Sequence, residues 1–191
     1  MSEKEYLGLL SIFLSLIGYG VYIRSIIRKV TKPHAFSWII WSVLMGIVFF
    51  AQMSRGGGAG AWVTGASALM CCIISAGAIV RGEKNITRGD WLAFVGAALA
   101  IPVWYVTHDP LWAVVLSTCI DAMAYYPTFR KSWHKPFEEN FVTYSMDTVK
   151  WTVALFALES YSPTTLIYPL FLMMANIALV SMILLRRGQT R

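Results

Sequence analysis

Residues 163–187 read PTTLIYPLFLMMANIALVSMILLRR, twenty-three positions without a charge followed by Arg186 and Arg187. A mainly apolar run of about 18 or more residues is long enough to cross the hydrocarbon layer of a bilayer as a helix. Working back from it, six further segments of the same kind stand out: residues 6–27, 36–53, 59–80, 91–107, 111–129 and 141–158. Gly56-Gly57-Gly58 reads as a flexible break before the third, and His108-Asp109-Pro110 ends the fourth. Asp121 interrupts the fifth segment, and Asp147 and Lys150 the sixth. These two are either spans or helices shielded from lipid by their neighbours.

Composition points the same way. Of 191 residues, 57% are hydrophobic and only 14% charged, whereas a soluble domain carries about a quarter charged. Too little polar surface remains to cover a core in water. The net charge of +6 sits in short clusters between the apolar runs, where it meets anionic headgroups rather than nucleic acid. No cleavable signal peptide is expected, because Glu3 and Glu5 offset Lys4 ahead of the first run. Cys71, Cys72 and Cys119 all lie inside apolar runs, which favours buried free thiols over disulfides or metal ligands.

The loops test the count of seven. Arg24, Arg28, Lys29 and Lys32 follow the first segment, and Arg55 alone follows the second. Arg81, Lys84 and Arg88 follow the third, nothing basic the fourth, Arg130, Lys131 and Lys135 the fifth, and nothing basic the sixth. The tail holds Arg186, Arg187 and Arg191. Strong and weak loops alternate, as the positive-inside rule expects. The expected topology has the N-terminus outside and the C-terminus in the cytoplasm of a plasma (inner) membrane. Removing any one helix destroys the alternation. Trp62, Trp91 and Trp112 fall near segment starts, and Trp38 and Trp41 in the first turns of segment two, where tryptophan favours the headgroup region.

A shift of 103 residues brings the chain onto itself. Tyr22 falls on Tyr125, Lys32 on Lys135, Pro33 on Pro136 and Ser42 on Ser145, and Leu69-Met70 on Leu172-Met173. Arg28 falls on Lys131, Trp38 on Phe141 and Trp41 on Tyr144. The shift superposes segments one to three on five to seven and leaves the fourth as a linker. An odd number of crossings before the second unit gives both units the same sense, a parallel repeat about an axis along the membrane normal. The expected fold is therefore all-α and polytopic, with a three-helix bundle in residues 1–80, a linker helix in 81–109 and a second bundle in 110–191.

This three-plus-one-plus-three plan resembles the SWEET sugar transporters and the wider PQ-loop family, which includes the KDEL receptor and the PnuC vitamin transporters. Tyr126-Pro127-Thr128-Phe129-Arg130-Lys131-Ser132 looks like the end of the PQ-loop motif, with Thr128 in place of the glutamine. In the first unit Arg24 stands where the proline would be. The resemblance implies a solute site between the two units and rocking of the units about it. It also implies that an asparagine on the third helix of a unit contacts substrate, which points to Asn176.

Charges at the bilayer centre cost at least about 2.5 kcal/mol each, so Asp121, Asp147 and Lys150 face protein or water. Asp147 and Lys150, three apart, share a helix face and can pair. They either close a helix contact or line a cavity. Asp121 is paired with Lys150 across an interface, or carries a proton. Asn176 touches a substrate or bonds a neighbouring helix. Tyr125, Tyr144 and Trp151, with Tyr126, are packing aromatics or the walls of a polar-ligand site. Pro102, Pro127 and Pro169 are candidate hinges or plain kinks. Asn85-Ile86-Thr87 fits a glycosylation pattern but falls in an expected cytoplasmic loop. The three histidines have no metal-site spacing, and no serine, cysteine or histidine arrangement suggests a nucleophile, so neither an enzyme nor a cofactor is expected. The leading reading is a transporter of a small polar or charged solute, with proton coupling suggested by its acidic groups. The alternative is a non-transporting receptor or assembly partner that binds a protein or lipid through basic loops. Assembly into a homo-oligomer is compatible with either.

Overall fold

The computed structural model describes residues 1–28, 33, 35–81, 88–134, 136–138 and 141–189. Lys29, Lys32, His34, Lys84, the Asn85-Ile86-Thr87 tripeptide, Lys135 and Arg191 lie outside the described residues. So do the side chains of Arg81, Tyr126, Pro127, Arg130 and Lys131. Among the described residues the chain is helical and has no strand. The α-helices are α1 (Glu3–Ile27), α2 (Ala35–Ser54), α3 (Trp62–Arg81), α4 (Arg88–Thr107), α5 (Pro110–His134), α6 (Phe141–Phe156) and α7 (Pro163–Gln189). Short 3-10 turns occupy Gly58–Ala61 and Pro136–Glu138.

Among the described residues four segments are long and apolar enough to cross a membrane: Glu3–Arg24, Ala35–Ser54, Gly58–Val80 and Pro163–Gln189. In α4 and α5 the apolar stretches are shorter, Phe94–Thr107 and Pro110–Tyr125. The outward faces are greasy, with Phe13, Val21, Leu69, Leu92, Tyr105 and Leu185 all exposed. So large an apolar exterior suits lipid, not water.

Local chemistry sets the helix starts. Ser2 and Glu5 form a capping box at α1: Glu5 N–H donates to Ser2 Oγ at 3.2 Å, and Ser2 N–H to Glu5 Oε2 at 2.6 Å. Leu111 N–H donates to Asp109 Oδ1 at 3.1 Å, and Pro110 takes the first helical position of α5. His108, at φ 53°, makes the tight corner that ends α4. Ser162 and Thr165 cap each other ahead of α7, Thr165 N–H donating to Ser162 Oγ at 3.3 Å and Ser162 N–H to Thr165 Oγ1 at 2.9 Å. Pro102 and Pro169 lie inside α4 and α7, which continue through them.

Cross-links show which helix ends lie together. At one end the Lys4 ammonium donates to the Leu158 carbonyl, and Glu159 N–H to the Gly57 carbonyl at 3.3 Å. Gln52 Nε2 donates to the Thr165 carbonyl at 3.0 Å, and Arg55 pairs with Asp109 at 3.2 Å. At the other end Arg186 donates to the Trp133 carbonyl at 3.0 Å and Arg187 to the Pro136 carbonyl at 2.9 Å, each guanidinium lying over aromatic rings. Successive helices therefore run in alternating directions, and the chain begins and finishes at opposite ends of the bundle.

Lipid tails are as apolar as leucine, so helix association rests on close packing rather than burial from water. The core joining α2, α3, α5, α6 and α7 fits that rule: Ala51 and Ala154 let the backbones approach, and Trp151 and Tyr168 fill the space between. Two features differ from the sequence expectation. The glycine break is a close-packed turn, with Gly56 at φ +72° and Gly58 at φ +54°. Among the tryptophans, Trp91 and Trp112 are exposed, whereas Trp38, placed in the headgroup region by the sequence, is buried with its ring centroid 4.9 Å from that of Tyr22. Periodicity places a tryptophan along a helix but not around it. Of the cysteines, all free, only Cys71 is buried, while Cys72 and Cys119 are exposed.

Candidate functional site

A cavity of about 260 Å³ lies in the middle of the bundle. The first half of the chain supplies Tyr19 and Tyr22 from α1, Trp38 and Trp41 from α2, and Cys71 from α3. The second half supplies Asp121 and Tyr125 from α5, Tyr144, Asp147, Lys150 and Trp151 from α6, and Leu172 from α7. From its mid-bundle floor the cavity extends toward the end where α1 stops and α2 and α6 begin, reaching the exposed Thr143.

Its charges are arranged asymmetrically. Lys150 Nζ lies 2.7 Å from Asp147 Oδ1, the pairing that their spacing on one helix face allows. The lysine side chain is 6% exposed and the aspartate 39%, so of these two cavity-lining partners the ammonium is the more deeply buried. Aromatic faces support that ammonium, Trp151 at 4.8 Å and Tyr19 at 5.9 Å from ring centroids. Asp121 is not paired with Lys150. Its Oδ2 accepts from the Tyr168 hydroxyl at 2.5 Å, Trp41 lines the same cavity, and no basic side chain reaches Asp121 among the described residues.

Asn176 stands behind the wall instead of lining it. Its Oδ1 accepts from the Tyr125 hydroxyl at 3.3 Å, and its Nδ2 donates to the Leu172 carbonyl one turn back at 2.8 Å. It thereby orients a cavity tyrosine. Of the three prolines, Pro102 and Pro169 are outside the cavity lining, and the side chain of Pro127 is among those not described.

Neither Tyr168 nor Tyr19 stands out in the sequence, and Tyr22 and Trp38 figure there only in the repeat and the headgroup region, not in the site. The 103-residue shift carried part of the signal: Tyr22 with Tyr125 and Trp41 with Tyr144 are repeat mates, and all four line the cavity. Gly18 with Asp121 is a third such pair. The scaffold repeats while the charges do not, since Asp147 and Lys150 face Leu44 and Ile47 in the repeat.

Tyr168→Phe removes the donor to a buried carboxylate. It is expected to cost about 2 kcal/mol of stability, the usual worth of a hydrogen bond to a charged group. Thermal unfolding in detergent checks this. An unchanged midpoint would mean that Asp121 takes its support elsewhere. No family model, curated protein or solved structure matches the chain.

Proposed function

We propose that this chain is a membrane transporter of a small polar or charged solute, with seven spans arranged as two parallel three-helix units and a linker. The observation that carries this reading is the charged, aromatic cavity at mid-bundle, walled by both halves of the chain. A dry, fully paired core would have favoured a receptor. Its volume, near the lower end for ligand pockets, suits a small solute.

The packing supports the two-unit plan. α3 packs against both α1 and α2, and α7 against both α5 and α6. The halves meet through α1 with α6 and α2 with α5, contacts that exchange under the repeat, while α4 packs against α5 and α2 as a linker would. A shift of 103 brings each helix of the first unit onto its mate to within five residues at either end. In this reading α4, α5 and α6 also cross the bilayer, with Asp147 and Lys150 shielded by their neighbours. The basic end faces the cytoplasm, with the N-terminus outside. The SWEET and PQ-loop resemblance adds the mechanism of rocking about a central site. The state described here is closed at the N-terminal end, where Gly60 meets α6, and opens toward the basic end.

The test is a thermal-shift screen of the purified protein against sugars, amino acids, organic acids and organic cations, followed by uptake into proteoliposomes. At least one class is expected to raise the midpoint by several degrees, and Asp121→Asn or Lys150→Met to abolish that shift in a folded protein. If no class stabilises the protein and neither substitution alters uptake, the receptor reading takes its place.

A further inference from the structure

A second cavity, about 550 Å³, lies between α2, α4 and α5. It adjoins the first, because Trp41, Asp121 and Ala124 line both. Its remaining wall is mainly aliphatic: Ile40 and Leu44 on α2, Leu92 on α4, and Leu116, Ile120 and Met123 on α5. Leu92 is 73% exposed and Met123 74%, so this recess opens on the greasy flank of the bundle. Asp121 thus stands at the junction of an aromatic chamber and an aliphatic one.

The charge balance sets what fits. Asp147 and Lys150 neutralise each other, which leaves the Asp121 carboxylate without a basic partner among the described residues. The aromatic chamber already holds one ammonium, that of Lys150, against Trp151 and Tyr19. Rings and a carboxylate together attract an alkylammonium by cation–π and Coulomb forces. An adjoining aliphatic recess takes up the apolar part of the same molecule.

From these observations we infer that the ligand is an amphipathic organic cation, with its ammonium beside Asp121 and Trp41 and its apolar tail in the recess between α2, α4 and α5. The inference rests on the solute-binding reading above and names its substrate class. The recess gives such a molecule a lateral path from the bilayer to the central site.

The experiment uses the full chain in lipid nanodiscs and decyltrimethylammonium carrying a diazirine on its tail. After photolysis, peptide mapping is expected to find the label on α4 near Leu92 and on α5 between Leu116 and Met123. Excess tetramethylammonium, which occupies only the ammonium seat, is expected to reduce labelling at least fivefold, and Asp121→Asn to do the same. A neutral decyl diazirine is expected to label the recess at least fivefold less. Label spread over the whole lipid-facing surface, or indifferent to tetramethylammonium, overturns the inference. So does equal labelling by the neutral probe, a comparison that needs no variant to fold. If sugars or amino acids stabilise the protein while no quaternary ammonium does, this inference falls and the transporter reading stands. If nothing stabilises it and neither Asp121→Asn nor Lys150→Met alters uptake, both fall.

Discussion

Asp147→Asn is expected to destabilise the protein far more than Lys150→Met, although the two substitutions remove opposite ends of one ion pair. The reason is the unequal burial of the partners, 6% exposure for the lysine side chain against 39% for the aspartate. Removing the carboxylate strands an ammonium inside the bundle with only the rings of Trp151 and Tyr19 beside it. Breaking a buried pair in this way costs about 3 to 5 kcal/mol, and cation–π contact returns about 1 kcal/mol. Lys150→Met keeps the length of the side chain and leaves Asp147 against the open chamber, where solvation limits the loss to about 1 kcal/mol. In the double variant no charge is stranded, so its stability should lie near that of Lys150→Met rather than at the sum of the two. Thermal or denaturant unfolding of the four proteins in one detergent reads this directly. Equal losses for the single variants, or simple additivity in the double, would contradict the burial asymmetry.

How much of this was readable beforehand depends on what each signal reports. Helix positions were legible because a long, mainly apolar run bounded by charges or turn residues folds as a helix, and among the described residues four of these are long and apolar enough to cross a membrane. Their ends were less so. α5 continues to His134 instead of stopping near residue 129, and Trp133 in that extension takes a hydrogen bond from Arg186 of α7. α6 stops at Phe156 rather than at residue 158, since Leu158 is turned toward Lys4 and Gly60. Both ends are set by partners distant in sequence. At the site, Asp121, Asp147 and Lys150 were legible because a charge in an apolar run demands company. Which company was not: the pair at spacing three followed from helix geometry, but Tyr168 as the partner of Asp121 depends on how α5 meets α7. The first-half wall was overlooked because it carries no charge. Tyr19, Tyr22 and Trp38 look like packing residues until the fold turns them inward.

Gly60→Val is expected to be strongly destabilising. A Cβ at Gly60 would lie 2.6 Å from the Leu158 nitrogen and 2.7 Å from both the Ala154 carbonyl oxygen and the Leu158 Cα. All three are backbone atoms, so no change of rotamer relieves the overlap. Either the turn before α3 or the end of α6 must move. The neighbourhood leaves little room for that, because Ala59, Ala61, Ala154, Ala157 and Leu158 are fully buried and Ala59 closes directly on Gly8 of α1. Overpacking of this kind typically costs about 1 to 3 kcal/mol, and obstruction by the backbone of both Ala154 and Leu158 places Gly60→Val near the upper end, at about 3 kcal/mol. Gly77→Val on α3 is the control, an exposed position with open space around a Cβ, and should stay within about 0.5 kcal/mol of wild type. The same contact joins the first half of the chain to α6 at the end of the bundle opposite the cavity mouth. It therefore holds the halves together at that end. Should Gly60→Val unfold no more readily than Gly77→Val, the close approach of the turn before α3 to the end of α6 would be contradicted.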